Sequence, residues 1–202
     1  MKVALVDYGA GNVASVERAL HRLGVESQRA KTAECLRSAD ALILPGVGHF
    51  AALIRALDDQ GLRAPLLEAL RRGMPFLGIC LGLQALYDSS EEAPELSGLQ
   101  LFPGKIRALP ANVKLPHMGW NQLSLTNRSR LLEGIALDAH FYFAHSYAAT
   151  ATGGGGAVAT CTHGSEFTAV LERDNMNAVQ FHPEKSGAAG AQLLQNFLRL
   201  AA

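Results

Sequence analysis

The feature that most constrains this chain is the segment 74–87, where a short apolar run passes into a stretch rich in Leu, Ala and Gln. An apolar run bounded by glycine and proline is typical of a buried parallel strand, and residues 81–87 predict a helix. Cys80 stands at the junction, in the pattern Gly78-x-Cys80-x-Gly82. This is the spacing of the strand–turn–helix elbow that presents a nucleophile, with cysteine in place of serine.

A thiol in that position has an electrostatic reason to be reactive. Backbone N–H groups and the positive end of the helix dipole favour the thiolate, which is the nucleophilic form. The alternative is a small structural cysteine in an apolar strand, because free cysteines are commonly buried. This segment alone is compatible with both interpretations, and other segments of the chain are needed to distinguish them.

The composition bounds the class of protein. The 202 residues suffice for one large domain or two small ones, and 49% hydrophobic with 18% charged residues is ordinary for a globular chain. The formal net charge of zero argues against a nucleic-acid partner. Three scattered cysteines fit neither a disulfide framework nor a zinc cluster, which indicates a reducing, cytoplasmic setting.

We expect neither a signal peptide nor a membrane span. An acid as early as Asp7 argues against a signal peptide. The longest uncharged run, residues 139–165, is too polar to cross a membrane, since it contains three histidines, several threonines and the glycine block 153–156. We interpret that glycine block as a flexible surface turn.

Strands and helices alternate in the first half of the chain. Strand patterns at 2–7, 25–30, 41–44 and 76–80 are separated by helix patterns at 13–23, 50–60 and 64–72. This alternation predicts a doubly wound, mostly parallel α/β sheet of the flavodoxin-like type. After residue 90, strand-like runs at 99–102, 105–109, 121–125, 141–147, 157–162, 167–172 and 178–182 predict an antiparallel extension, followed by a helix at 186–200. No linker interrupts the pattern, so residues 1–202 are interpreted as one domain.

A second segment could supply acid–base chemistry to the thiol. His182 ends a predicted strand, and Glu184 lies two residues further on, which in extended chain places both side chains on one side. A histidine can take the proton of a thiol and return it to a leaving amine, while a carboxylate orients the ring. The alternative is a solvated loop before the last helix.

A third segment could stabilise an oxyanion. The run Pro45-Gly46-Val47-Gly48 follows a predicted strand and exposes backbone N–H groups. The N–H of Val47 and that of Leu81 could together face the developing charge, although a plain glycine-rich turn is the alternative. Because the carboxyl ends of parallel strands meet at one edge, Asp7, this run and Cys80 are expected to share a crevice.

Other patterns compete with this interpretation. Residues 9–14 match the G-x-G-x-x-G/A dinucleotide fingerprint, and Arg29 could accept a 2′-phosphate, which keeps a nicotinamide oxidoreductase open as a minor hypothesis. His140 and His145 would point to opposite faces of one strand, and His163 adds no recognisable ligand spacing, so we expect no metal. Cys35 and Cys161 lack an elbow and are interpreted as structural. No cofactor is expected.

Taken together, the segments resemble a known family, the triad-type (class I) glutamine amidotransferases. The segments that carry the resemblance are Gly78-Ile79-Cys80-Leu81-Gly82-Leu83-Gln84 and His182-Pro183-Glu184. Further segments at 6–12, 45–50, 116–121, 141–147, 181–186 and 194–198 are similar to one branch, the glutaminase subunits of imidazole glycerol phosphate synthase in histidine biosynthesis. Other branches typically have Pro-Gly-Pro-Gly in place of Pro-Gly-Val-Gly and lack the segment 116–121.

The resemblance implies roles for individual residues. Cys80 would attack glutamine, with His182 and Glu184 as the acid–base pair and the N–H groups of Val47 and Leu81 as the oxyanion site. The residues expected around the amino-acid head of the substrate are Gly48, Gln84, Ser146 and Tyr147.

The resemblance also implies a partner. The family branch docks on a separate (β/α)8-barrel cyclase, which uses the ammonia to make imidazole glycerol phosphate and an aminoimidazole carboxamide ribonucleotide. The residues expected towards that face are Asn12, Met118, Trp120 and Lys185. Core packing is the alternative for Trp120.

Besides the nicotinamide oxidoreductase, three other functions remain open. They are an amidotransferase subunit of another biosynthetic pathway, a stand-alone cysteine amidase, and a binding module that kept the fold without catalysis. The intact set of Cys80, His182 and Glu184 argues against the last of these.

Overall fold

The structure is a computed structural model that describes residues 1–151 and 155–202. Residues 153 and 154 of the glycine-rich turn predicted above lie outside the described part. The strands are β1 (Val3–Val6), β2 (Ser27–Ala30), β3 (Ala41–Gly46), β4 (Phe76–Cys80), β5 (Tyr87–Ser90), β6 (Phe102–Ala108), β7 (His117–Gln122), β8 (Ser124–Leu125), β9 (His140–His145), β10 (Tyr147–Ala149), β11 (Ala157–His163), β12 (Ser165–Arg173) and β13 (Met176–Val179). The helices are α1 (Val13–Arg22), α2 (Ala33–Arg37), α3 (Phe50–Asp59), α4 (Arg63–Arg71), α5 (Leu81–Gln84) and α6 (Gly187–Leu200), with a 3₁₀ turn at Pro183–Lys185.

The largest sheet has eight strands in the order β2-β1-β3-β4-β13-β12-β11-β8. Strands β2, β1, β3, β4 and β13 pair in parallel, and β12, β11 and β8 continue the sheet antiparallel. This arrangement confirms the predicted α/β sheet with an antiparallel extension. The C-terminal strand β13 lies directly beside β4, which brings the segment after β13 next to Cys80.

Both faces of this sheet are covered, as a doubly wound sheet requires. Alternate residues of β1 enter opposite cores: Ala4 and Val6 pack with α3 and α4, whereas Val3 and Leu5 pack with α1 and α6. The described helices include none that is both long and apolar enough to cross a bilayer.

The prediction that every later strand extends the same sheet was wrong. Strands β10, β6 and β5 form a separate three-stranded sheet, and β7 pairs with β9 in a two-stranded ribbon. The run 141–147 is not one strand, because it breaks at Ser146 between β9 and β10. Local alternation shows that a segment is extended, but its pairing partner is decided by distant contacts.

The helix predicted over 81–87 was too long. Helix α5 ends at Gln84, and Tyr87 already belongs to β5. The carbonyls of Ala85 and Leu86 accept hydrogen bonds from Leu99 and Leu101, so the chain leaves the helix to pair with that segment. Helix α2, which was not predicted from the sequence, begins where the Thr32 side chain accepts a hydrogen bond from the backbone N–H of Cys35.

Candidate active site

Cys80 ends β4 at a sharp turn into α5. Its backbone has φ 53° and ψ −105°, an unfavourable region for a residue with a side chain. Two glycines make room for the turn. A Cβ at Gly82 would lie 2.0 Å from the Leu44 carbonyl oxygen, and one at Gly78 would lie 2.8 Å from the Gly82 carbonyl oxygen. The structure therefore contains the elbow that the Gly-x-Cys-x-Gly spacing predicts.

His182 lies between Cys80 and a buried carboxylate. Its Nδ1 is 2.9 Å from Oε1 of Glu184, and the two side chains are only 2% and 1% exposed. Burial lowers the pKa of His182, but hydrogen bonds to Cys80 and Glu184 outweigh burial and raise the pKa to about 10. The ring is thus protonated at neutral pH, which suits a partner for a thiolate. The solvated-loop alternative for this segment is wrong.

The local geometry of this pair differs from the prediction. Residues Pro183–Lys185 form a 3₁₀ turn and not extended chain, and this turn brings the Glu184 side chain back to the imidazole of His182. Asn12, which was expected at the partner surface, is half-buried at the start of α1. Its Nδ2 donates to Oε1 of Glu184 at 3.2 Å, so it helps to hold the carboxylate.

A cavity of about 300 Å³ opens above the thiol. Nine residues proposed from the sequence lie in its wall: Val47, Gly48, Cys80, Leu81, Gln84, Ser146, Tyr147, His182 and Lys185. Glu184 is behind His182, whereas Asn12, Met118 and Trp120 are outside the wall. The predicted nucleophile, oxyanion site and substrate pocket are thus neighbours in space.

Four wall residues were not proposed from the sequence: Glu92, Pro116, Ala144 and His145. Glu92 comes from a stretch without any motif, so no sequence signal could have found it. Its Oε2 accepts from the backbone N–H of Phe50 at 2.7 Å, which fixes the carboxylate at the start of α3. Across the cavity, Nε2 of Gln84 donates to the carbonyl of Tyr147 at 2.7 Å.

A pair of neutral histidines supports this wall. Nδ1 of His145 is 3.0 Å from the Tyr147 carbonyl, which can only accept, so Nδ1 carries the proton. Nε2 of His145 then accepts from Nδ1 of His117 at 3.1 Å, and Nε2 of His117 accepts from Asn121 at 3.3 Å. Burial lowers the pKa of His145 to about 3 and that of His117 to about 4, so both rings are neutral at pH 7.

The histidines considered as metal ligands are distributed differently. His140 is exposed and His145 is buried, so they do face opposite sides of β9. His163 stacks on His117 with ring centroids 4.2 Å apart, an arrangement of ring faces and not of ligand lone pairs. Within residues 1–151 and 155–202, no group of three or more His, Cys, Asp or Glu side chains is placed to hold a metal ion.

An apolar surface borders the cavity. Met118 and Trp120 of β7 are 64% and 56% exposed, so core packing for Trp120 was wrong. They pair with Ala144 and Tyr142 of β9, and Nζ of Lys185 lies 5.6 Å from the Tyr142 ring centroid. We call this set the outer face of the ribbon. It borders the cavity, because Ala144 and Lys185 also line the wall.

The loop at residues 9–14, which matches the dinucleotide fingerprint, packs against other parts of the protein. A Cβ at Gly11 would lie 2.9 Å from the Tyr8 hydroxyl and 3.2 Å from the Pro45 carbonyl, so this glycine serves close packing. Arg29, proposed for a 2′-phosphate, instead pairs with Glu17 at 2.8 Å.

Fold and site together define a cysteine amidotransferase of the triad type, and comparison with known proteins agrees. Residues 4–201 match the family model described as Glutamine amidotransferase class-I. A crystal structure of glutamine amidotransferase has the same fold, with a TM-score of 0.78 at 22% identity over 98% of each chain.

Curated relatives define the branch. The chain is 47% identical over 198 residues to the imidazole glycerol phosphate synthase subunit HisH of Methanothermobacter thermautotrophicus, covering 98% of each protein. It is 44% identical to HisH of Moorella thermoacetica, covering 96% of this chain and 93% of the relative. The chain therefore belongs to the HisH family of class I glutamine amidotransferases.

Proposed function

We propose that the chain is the glutaminase subunit of imidazole glycerol phosphate synthase, in histidine biosynthesis. It hydrolyses glutamine through a Cys80 thioester and passes ammonia to a separate (β/α)8-barrel cyclase subunit. The observation that carries the proposal is the geometry of buried His182, whose Nδ1 is 2.9 Å from Oε1 of Glu184 and which shares the cavity wall with Cys80. The names of its relatives supply the pathway.

The reaction starts with an ion pair. The Cys80 thiolate attacks the side-chain amide carbon of glutamine, and we assign stabilisation of the oxyanion that forms to the N–H groups of Val47 and Leu81. Collapse of this intermediate breaks the C–N bond, and His182 gives its proton to the departing ammonia. Neutral His182 then takes a proton from water, whose oxygen attacks the thioester. Glutamate leaves, and the Cys80 thiolate and the imidazolium are regenerated.

The cavity offers matching groups for an amino acid. Glu92 is the only carboxylate among the described wall residues, so it is the natural partner of the α-ammonium group. Gly48, Gln84, Ser146 and Tyr147 surround the rest of the head group. A volume of about 300 Å³ is at the lower end of the range for small-molecule sites, as a substrate the size of glutamine needs.

A partner is required by the chemistry of the product. In neutral water ammonia is mostly ammonium, whose nitrogen has no free lone pair, so a synthase must receive ammonia directly. The outer face of the ribbon, with exposed Met118 and Trp120 beside the cavity, suits a protein contact. We place the cyclase there, with Lys185 at the edge and Asn12 behind Glu184.

We further propose that residues 1–202 act as one amidotransferase domain in the cytoplasm. Strands from both halves of the chain share the eight-stranded sheet, which supports one unit. The cysteines Cys35, Cys80 and Cys161 are all free thiols, which supports a reducing compartment.

The test replaces the nucleophile. Cys80→Ala in the complex with the cyclase is expected to abolish synthesis from glutamine and to leave synthesis from added ammonium salt intact, since only ammonia release needs the thiol. Cys35→Ala, at a half-exposed thiol of α2, is the matched control and should keep both activities. Loss of both activities in Cys80→Ala would mean that Cys80 is structural, and retained glutamine-dependent synthesis would exclude it as nucleophile.

The same assay separates the other candidates. A stand-alone cysteine amidase would hydrolyse glutamine fully without the cyclase, whereas the proposed subunit is stimulated by the cyclase and its nucleotide substrate. A subunit of another pathway would not respond to this cyclase.

A further inference from the structure

The mechanism above does not use Gln180, which contacts the nucleophile. Gln180 follows β13 and is fully buried. Its Nε2 lies 3.5 Å from Sγ of Cys80, within the range for a hydrogen bond to sulfur. Its backbone N–H donates to the Ala169 carbonyl at 2.9 Å, so the main chain fixes the position of this side chain.

The orientation of the amide follows from its neighbours. The Tyr147 carbonyl can only accept a hydrogen bond, so the atom of Gln84 that faces it at 2.7 Å is the donor Nε2. That same nitrogen lies 3.1 Å from Gln180, which must therefore present its acceptor Oε1 there. The other end of the Gln180 amide, the –NH₂ group, then faces Cys80. The Tyr147 carbonyl therefore determines which end of the Gln180 side-chain amide is nitrogen and which is oxygen.

We propose that Gln180 is a further catalytic residue, whose amide N–H donates a hydrogen bond to the Cys80 sulfur and stabilises its negative charge. An amide –NH₂ group has no acceptor, so the sulfur must accept this bond, and a thiolate accepts better than a thiol. The inference rests on the proposed function for its reaction.

Two steps benefit from this donor. The thiolate that attacks glutamine is held by a neutral group whose hydrogen bond does not depend on the protonation of His182. When water cleaves the thioester, the electron pair of the breaking C–S bond stays on the sulfur, and the same N–H stabilises this negative charge by a hydrogen bond.

The first variant is Gln180→Met, which nearly keeps the volume and removes the donor. We expect the pH midpoint for alkylation of Cys80 by iodoacetamide, followed by mass spectrometry of its peptide, to rise by about one to two units. In the complex, kcat for glutamine-dependent synthesis should fall roughly tenfold to hundredfold at neutral pH, with KM changed by less than about twofold.

A second variant separates donation from scaffolding. Gln180→Glu keeps an acceptor towards Gln84 but replaces the donor that faces the sulfur with a carboxylate oxygen. It should lose at least as much kcat as Gln180→Met. If Gln180 only holds Gln84 in place, Gln180→Met will lower kcat without moving the alkylation midpoint of Cys80, and the proposal is wrong.

Asn177→Leu is the matched control, because Asn177 is also a buried amide and lies three residues earlier on β13, where it bonds the Phe76 carbonyl. It should change stability without moving the alkylation midpoint. An unmoved midpoint in folded Gln180→Met would overturn the proposal. The alkylation experiment uses the chain without glutamine or partner, so it gives its result even if the proposed synthase activity is absent.

Discussion

At the scale of single residues, the buried histidines around the cavity differ in charge at neutral pH: His182 is protonated, whereas His117 and His145 are neutral. Hydrogen bonds to Cys80 and Glu184 raise the pKa of His182 to about 10, whereas burial lowers those of His117 and His145 to about 4 and 3. His182 therefore stabilises the fold fully below its unfolded pKa of about 6.5, and this contribution is lost as the pH rises towards 10. The lowered pKa values of His117 and His145 have the opposite effect, because they reduce the stability of the fold as the pH falls.

The neutral pair predicts acid sensitivity. Between about pH 6.5 and 4, unfolded His117 binds a proton that the folded ring does not, so stability falls as the pH falls through this window. Over the part from pH 6.5 to 5 the loss is at most about 2 kcal/mol. Urea unfolding at pH 7.5 and pH 5 should show a smaller loss in His117→Gln than in the wild type. His21→Gln, at an exposed histidine, should leave the loss unchanged, and an equal loss in all three proteins would contradict the assignment.

What the sequence could predict at this scale depended on local spacing. Cys80, His182 and the backbone groups at Val47 and Leu81 stand in short motifs, so their meeting in one cavity could be anticipated. Glu92 and Gln180 could not be assigned a role, since their positions beside the cavity and the thiol arise only when distant strands pair.

At the scale of elements, the strand-to-helix elbow depends on close backbone contact. Its tightest contact, at Gly82, involves a rigid carbonyl and not a flexible side chain. The sequence predicted this elbow and the parallel strands, because Gly-x-Cys-x-Gly and apolar runs act locally. It did not predict the end of α5 at Gln84, because hydrogen bonds from residues 99 and 101 decide that boundary.

A substitution at Gly82 measures this contact. Gly82→Ala should destabilise the fold by about 3 kcal/mol or more, since a Cβ 2.0 Å from the Leu44 carbonyl forces β3 and α5 apart. Gly73→Ala is the control: its φ of +88° costs about 1 kcal/mol, but nothing lies within 4 Å of the added Cβ. The measurement is the urea midpoint of both variants. Equal midpoints would show that the elbow can relax.

At the scale of the whole molecule, the outer face of the ribbon is the surface through which we expect the partner to act. Trp120→Ala should raise the Kd for the cyclase at least tenfold, because exposed Trp residues beside an apolar patch are frequent centres of binding energy. The unfolding midpoint of the isolated chain should hardly change. Leu200→Ala, at the far end of α6, is the control and should leave the Kd unchanged. Both are measured by calorimetric titration, and a Trp120→Ala complex of unchanged affinity would move the interface elsewhere.

The ribbon of β7 and β9 has a consequence for how the two subunits communicate. One side carries Met118 and Trp120, and the opposite side carries His117 and His145, which hold the Tyr147 carbonyl in the cavity wall. With the cyclase on the outer face, as we propose, only the thickness of one backbone would separate it from the Tyr147 carbonyl in the cavity wall. We therefore expect that docking of the partner on the ribbon acts on the pocket directly, without a relay through the core. Because such coupling is a shared free energy, glutamine must tighten the partner by the same factor by which the partner tightens glutamine.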